Sequence, residues 1–177
     1  MSAEDRRTAE RQLKRRLRGE VLLAARCPHG LVEVIATSPL LPDGTPFPTL
    51  FWLTCPLLQR AVSRLESGDF RALLRRRLRE APGFADELRR AERDYAGERE
   101  RWAAEMGELE RVRECFSGRE GVGGTVAGGI KCLHAHLAHF LAVGGNPVGA
   151  EVAGALRGLQ ERACDGDCGP FLGEERR

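Results

Sequence analysis

Lysine is nearly missing from this 177-residue chain: Lys14 and Lys131 are the only two, although lysine and arginine together number 28. Asparagine occurs once, as Asn146. Charge of one sign is also lacking. With 26 acidic residues the formal net charge is +2, which gives no electrostatic case for nucleic acid, and no nucleic acid is expected as a partner. No run approaches the roughly 18 apolar residues of a membrane span, so no membrane insertion is expected. The first residues mix Glu, Asp and Arg without an apolar stretch, so no signal peptide is read and the expected address is cytoplasmic. No Cys-x-x-Cys pair occurs, which removes the strongest zinc signature. In a reducing compartment the six cysteines are then free buried thiols, metal ligands or reactive thiols rather than a disulfide framework.

What is present suits one ordinary domain. Hydrophobic residues make up 42% and charged residues 31%, enough to build a core without staples. The pattern predicts an α+β fold: a small antiparallel sheet of about three strands, followed by and packed against about five helices, one of them long. An N-terminal helical extension covers 1–18, a single domain 19–163, and an irregular tail 164–177.

Two β-prone runs, Glu20 to Arg26 and Leu31 to Thr37, flank Cys27-Pro28-His29-Gly30 and read as a hairpin. After a proline-rich loop (38–48), Thr49 to Thr54 reads as a third strand. Cys55-Pro56 then opens a helix, with the proline at its first position. A second short helix covers about Phe70 to Arg79 and ends at Pro82-Gly83. Residues 84–114 read as one long helix of about 46 Å. On it Leu88, Tyr95, Trp102 and Leu109 fall seven apart, either an internal ridge or an arm for a protein partner. The glycine-rich 117–129 segment reads as a flexible connection. Helices follow over Lys131 to Val143 and from about Val148 to Ala163, with Asn146-Pro147 capping the latter.

Chemistry concentrates in "KCLHAHLAHFLAV", whose only formal charge is Lys131. At 100° per residue Cys132, His136 and His139 share a face, and His134 lies on the other flank. Such a set suits zinc or, second, iron. Cys27 and Cys55, both at ends of sheet elements, are the expected further ligands, and His29 is another option. A reactive thiol is the competing reading: Cys55 sits where a helix dipole lowers a thiol pKa. Satisfied core histidines and inert thiols are the bland one. The glycine stretch before Lys131 lacks the GxxxxGK[ST] phosphate loop, but a looser anion site at the helix start with Lys131 stays open. Asp43, Thr45 and Thr49 on the proline-stiffened loop are candidate ligand-binding groups. Cys164 and Cys168, four apart in the tail, are a weaker metal candidate.

Taken in order, "RCPHG", "LPDGTPFPTLFWLTCP", "SRLE", "KCLHAHLAH" and "NPVG" resemble the bacterial family called domain of unknown function 501, over about Gly19 to Gly158. The resemblance implies no catalytic residues, since none is assigned for the family. It implies a genomic setting near a septum-formation coiled-coil protein and an exopolyphosphatase-like enzyme. The family's helix motif matches Cys132, His134 and His139; His136 and the Cys164–Cys168 pair fall outside it. Three functions follow as expectations: a Cys/His metal or thiol site of structural or regulatory role; an interaction protein using helix 84–114, linked to cell division; or a small-molecule or phosphate-ester enzyme using Lys131 and His134.

Overall fold

The computed structural model of the chain describes residues 1–172. β1 (Val21–Arg26), β2 (Val32–Thr37) and β3 (Phe51–Leu53) form an antiparallel sheet in the order β1-β2-β3. The hairpin forms as its sequence predicts: Cys27 N–H donates to Leu31 O at 2.9 Å, and Gly30 takes a positive φ of 79°. Every residue of β2 is buried, because both faces of the sheet are covered. Val34 and Ala36 face the main core; Ile35 packs with Ala9 of the N-terminal helix on the other side.

Around the sheet lie seven helices of seven residues or more and two shorter turns, among the described residues, where about five were expected. The longer ones are α1 (Ala3–Leu13), α2 (Pro56–Ser67), α3 (Phe70–Glu80), α4 (Pro82–Glu105), α5 (Leu109–Cys115), α6 (Leu133–Val143) and α7 (Pro147–Ala155). The short ones are α8 (Leu159–Ala163) and α9 (Gly169–Leu172). Of the additional ones, α1 is the expected N-terminal extension, α9 forms in the segment expected to be irregular, and two breaks produce α5 and α8. The helix expected over 84–114 stops at Glu105, where Gly107 adopts φ 73°, Gly107 N–H bonds Ala104 O, and Glu108 N–H bonds Ala103 O. This is the glycine C-cap in which the next two amides close back on the last turn. The final helix breaks after Ala155, and Gly158, at φ 67°, is the N-cap from which α8 restarts. Pro82 starts α4 as well as ending α3, since a first-turn proline forfeits no helical hydrogen bond.

The ridge on α4 is spent inside the chain. Leu88 and Tyr95 are fully buried and Trp102 nearly so, with Leu109 of α5 half-buried. Tyr95 ties α4 to the sheet: its hydroxyl accepts Leu50 N–H at 2.6 Å and donates to Pro48 O at 3.1 Å. The N-terminal helix is more than an exposed extension. Ala9 and Gln12 are buried, and Gln12 donates to Val32 O at 3.0 Å and to Cys168 Sγ at 3.4 Å. Cys168 of the tail therefore meets α1, and α9 packs against α2; the last part of the expected irregular tail lies outside the described residues.

The glycine-rich segment is ordered rather than loose. Gly121 N–H donates to Thr125 O and Gly124 N–H to Gly121 O, both at 2.9 Å, and the buried Glu92 carboxylate of α4 takes Gly128 N–H at 2.8 and 3.0 Å. Gly124 has φ 75° and lies against Pro48, so close that a Cβ there would stand 2.3 Å from the proline's Cβ. Gly124→Ala is therefore expected to lower stability by roughly 1–3 kcal/mol from backbone strain alone, with more from the clash. Urea unfolding checks this, and a change within error would show that the loop yields freely.

Candidate metal centre

α6 carries no formal charge and lies between β3, α7 and α2, so its side chains face protein almost all round. It begins at Leu133, two residues later than its sequence predicts. Cys132 is its N-cap in extended conformation (φ −132°, ψ 111°). The common face expected for Cys132, His136 and His139 presupposed that Cys132 is helical; outside the helix, its sulfur points elsewhere.

What the structure brings together at this end is Cys132, His134 and Glu66 of α2. One ligand atom from each lies within 4.8 Å of the others. The Glu66 carboxylate accepts Leu133 N–H, an amide left open by the helix start, and so fixes α2 to the head of α6. His134 Nε2 stands 3.1 Å from Gln59 O and 3.3 Å from Ser63 Oγ. Its Nδ1 lies 3.4 Å from Glu66 Oε2 and 3.9 Å from Cys132 Sγ. Gln59, Ser63 and Glu66 repeat at helical spacing along one face of α2. Glu66 is the ligand that sequence reasoning missed. Its signal was the "SRLE" motif, which holds Ser63 and Glu66 but was assigned no role.

The tautomer decides what this cluster can do. When Nε2–H donates to the Gln59 carbonyl, Nδ1 presents a lone pair toward a carboxylate oxygen and a sulfur. A backbone carbonyl orienting one ring nitrogen so that the other can ligate is the usual support of a metal-bound histidine. A thiol–imidazole relay fits less well. Cys132 and Glu66 sit at the same nitrogen, and a carboxylate beside a sulfur opposes thiolate formation unless a cation lies between them. Burial works to lower the His134 pKa, but the Cys132 sulfur, the Gln59 carbonyl and the Glu66 carboxylate outweigh it, and the net direction is up.

His136 and His139 belong to a different construction. Both are buried, and Asn146, itself fully buried, serves them together. Its amide nitrogen lies 3.2 Å from His136 Nδ1 and 3.1 Å from His139 Nδ1, while its Oδ1 caps α7 by accepting Gly149 N–H at 2.9 Å. His139 also stacks on Phe51 at 5.6 Å and meets Tyr95 edge-on at 5.2 Å. Both Nε2 atoms lack a hydrogen-bond partner among the described residues; the Gly129 carbonyl beside His136 falls short of hydrogen-bond geometry. Burial pushes each pKa down to about 4, His136 adding to the effect on His139. These are neutral core imidazoles held by an amide.

Cys27 and Cys55 are not drawn to α6 either. Cys55 is buried, with Gln160 Nε2 at 3.9 Å from its sulfur and Glu33 on the same glutamine at 2.6 Å. The amides of Leu57 and Leu58 favour its thiolate, as the helix-dipole reading requires, but burial dominates and pushes the thiol up to about 11. Burial and a raised pKa both count against the reactive thiol that was one expectation for Cys55. Cys27 lies in the hairpin turn, whose neighbour His29 packs beside Gly166 of the tail. Among the described residues, Cys164 and Cys168 join no ligand group. Asp43 is exposed and occupied by an Asx turn to Thr45 N–H at 2.9 Å; both lie in a loop that faces Arg111, and neither joins the ligand group or lines the cavity beside it.

Beside the cluster is a mainly apolar cavity of about 360 Å³. Phe51, Leu53 and Val122 supply its apolar wall, and Thr49, Gln59, Lys131, Cys132 and His134 its polar groups. Lys131, expected at the anion site, reaches it from the extended segment before α6.

Fold and site together define an α+β protein in which a three-residue Glu/Cys/His group adjoins a cavity. Residues 23–154 match the model of the family described as "Protein of unknown function (DUF501)", and the chain belongs to that family. No curated protein matches the chain, and no solved structure does. Among the described residues no helix is long and apolar enough to cross a membrane.

The Asn146 arrangement has a measurable pH signature. A histidine whose folded pKa lies below its unfolded value makes the unfolded chain the better proton binder. For His139 that window runs from about 6.5 down to about 4, and the stability present above it is lost as pH falls through it. NMR is expected to show no His139 titration above about pH 5 in the folded protein, and a titration near 6.5 would contradict its burial. Asn146→Ala removes a helix cap and the donors of two buried imidazoles, and is expected to cost about 2–4 kcal/mol in urea unfolding.

Proposed function

We propose that the chain binds one zinc ion through Glu66, Cys132 and His134, and that the ion serves a small molecule held in the adjoining cavity. The observation that carries this reading is the position of the three ligand atoms, within 4.8 Å of one another, with Cys132 and His134 also lining the cavity. A mixed O/S/N donor set suits zinc better than iron, whose non-haem sites favour two histidines and a carboxylate. Structural zinc is closed by four protein ligands; three ligands leave a position for water or substrate. A ligand-binding role is therefore favoured over the purely structural or regulatory one, and Lys131 at the cavity edge supplies a cation for the bound molecule.

Protein purified without an affinity tag and equilibrated with Zn²⁺ is expected to retain about one equivalent by elemental analysis. Replacement by Co²⁺ is expected to give visible d–d and thiolate-to-cobalt absorption, lost in Cys132→Ser and weakened in Glu66→Gln. Absence of retained metal together with absence of those bands would sink the proposal, as would metal held equally by Cys132→Ser and His134→Ala.

A further inference from the structure

α3 carries five arginines, and they divide by face. Arg76 pairs with Glu80 and Arg77 with Glu151. Arg71, Arg75 and Arg79 recur every four residues along the remaining face and form no ion pair among the described residues. That face opens onto a groove of about 590 Å³, whose opposite wall is the ordered glycine loop 124–131, ending in Lys131. The guanidiniums are aimed there by backbone acceptors: Arg71 Nη1 donates to Lys131 O at 3.3 Å and Arg75 Nη2 to Ile130 O at 3.1 Å. Each bond engages one nitrogen and leaves the rest of the fork available. Two acids that touch the loop and α6 are already engaged, Glu92 by Gly128 N–H and Glu66 by Leu133 N–H and His134.

Four cations around one groove, on a chain of net charge +2, are a local excess that the overall composition hides. Guanidinium forks match the oxygens of a phosphoryl group in pairs, whereas an ammonium supplies a point charge. Thr125 and Lys131 line both this groove and the apolar cavity beside the metal ligands, so the two spaces adjoin. We infer that the groove is the phosphate-recognition subsite of a small organic phosphate whose apolar body occupies the neighbouring cavity. This rests on reading that cavity as a ligand site, and it adds the substrate class.

The test uses the full chain, titrated with inorganic phosphate, phenyl phosphate and phenol by calorimetry, in metal-free and Zn²⁺-loaded forms. Phenyl phosphate is expected to bind about tenfold more tightly than inorganic phosphate, through burial of the ring. Arg71→Ser/Arg75→Ser is expected to weaken both phosphates about tenfold or more while leaving the Co²⁺ spectrum intact. Those substitutions remove bonds to the loop, so Arg79→Glu, at a side chain without a hydrogen bond or ion pair among the described residues, keeps the test valid if the double variant misfolds; it too should weaken phosphate binding. Retention of phosphate binding by Cys132→Ser would separate this subsite from the metal, so failure of the zinc reading leaves a distinct result. Equal affinity of the wild-type chain and Arg79→Glu for phenyl phosphate overturns the inference. So does phosphate binding with no gain from the ring or, in a parallel titration with a single-stranded oligonucleotide, tighter binding than that of phenyl phosphate.

Discussion

A helix without formal charge, buried on nearly all sides, must place two imidazoles in a dry core, and one amide makes that tolerable. Asn146 meets both His136 and His139 through its nitrogen and caps α7 through its oxygen. A buried polar group without a partner costs on the order of 1–3 kcal/mol, so the pairing of α6 with α7 depends on this residue. The close packing that follows is visible at Gly149, where an added Cβ would stand 2.3 Å from the His136 carbonyl.

With α6 fixed at its middle, its head becomes a rigid platform. Glu66 is held there by an amide of the helix start, and His134 is oriented by the Gln59 carbonyl. The loop leading into α6 is restrained from the other side, by Glu92 on Gly128 and by the contact of Gly124 with Pro48. Both walls of the cavity and of the arginine groove are therefore parts of ordered elements. That order is what a binding site needs, since ligand atoms displaced by an ångström no longer converge.

Much of the scaffold was legible from residue order. β-prone runs bounded by proline and glycine turns marked the strands, and prolines at first helical positions marked the starts of α2 and α7. The interruptions were less visible. Gly107 lies in a strongly helical stretch, and only the left-handed turn it adopts separates α4 from α5. At the site, Cys132 and His134 were found because a histidine-rich apolar helix is chemically unusual. His136 and His139 carried the same signal for another reason, polar satisfaction in the core. Residue type alone does not separate these cases, because an imidazole lone pair meets a metal and an amide donor equally well.

By itself, then, the sequence determined the α+β class, the three-stranded antiparallel sheet, the helix start at Pro56 and the cap at Asn146, and the importance of the segment from Lys131 to His139. Those features rest on local propensity and on periodicity, which neighbouring residues carry. Tertiary structure decided which histidine joins the cluster, that Glu66 of α2 completes it, and that three arginines of α3 share a groove with Lys131. Each of these is a meeting of residues about 50 to 70 positions apart, set by how α2 and α3 pack against α6 and its loop, and local pattern does not encode that distance.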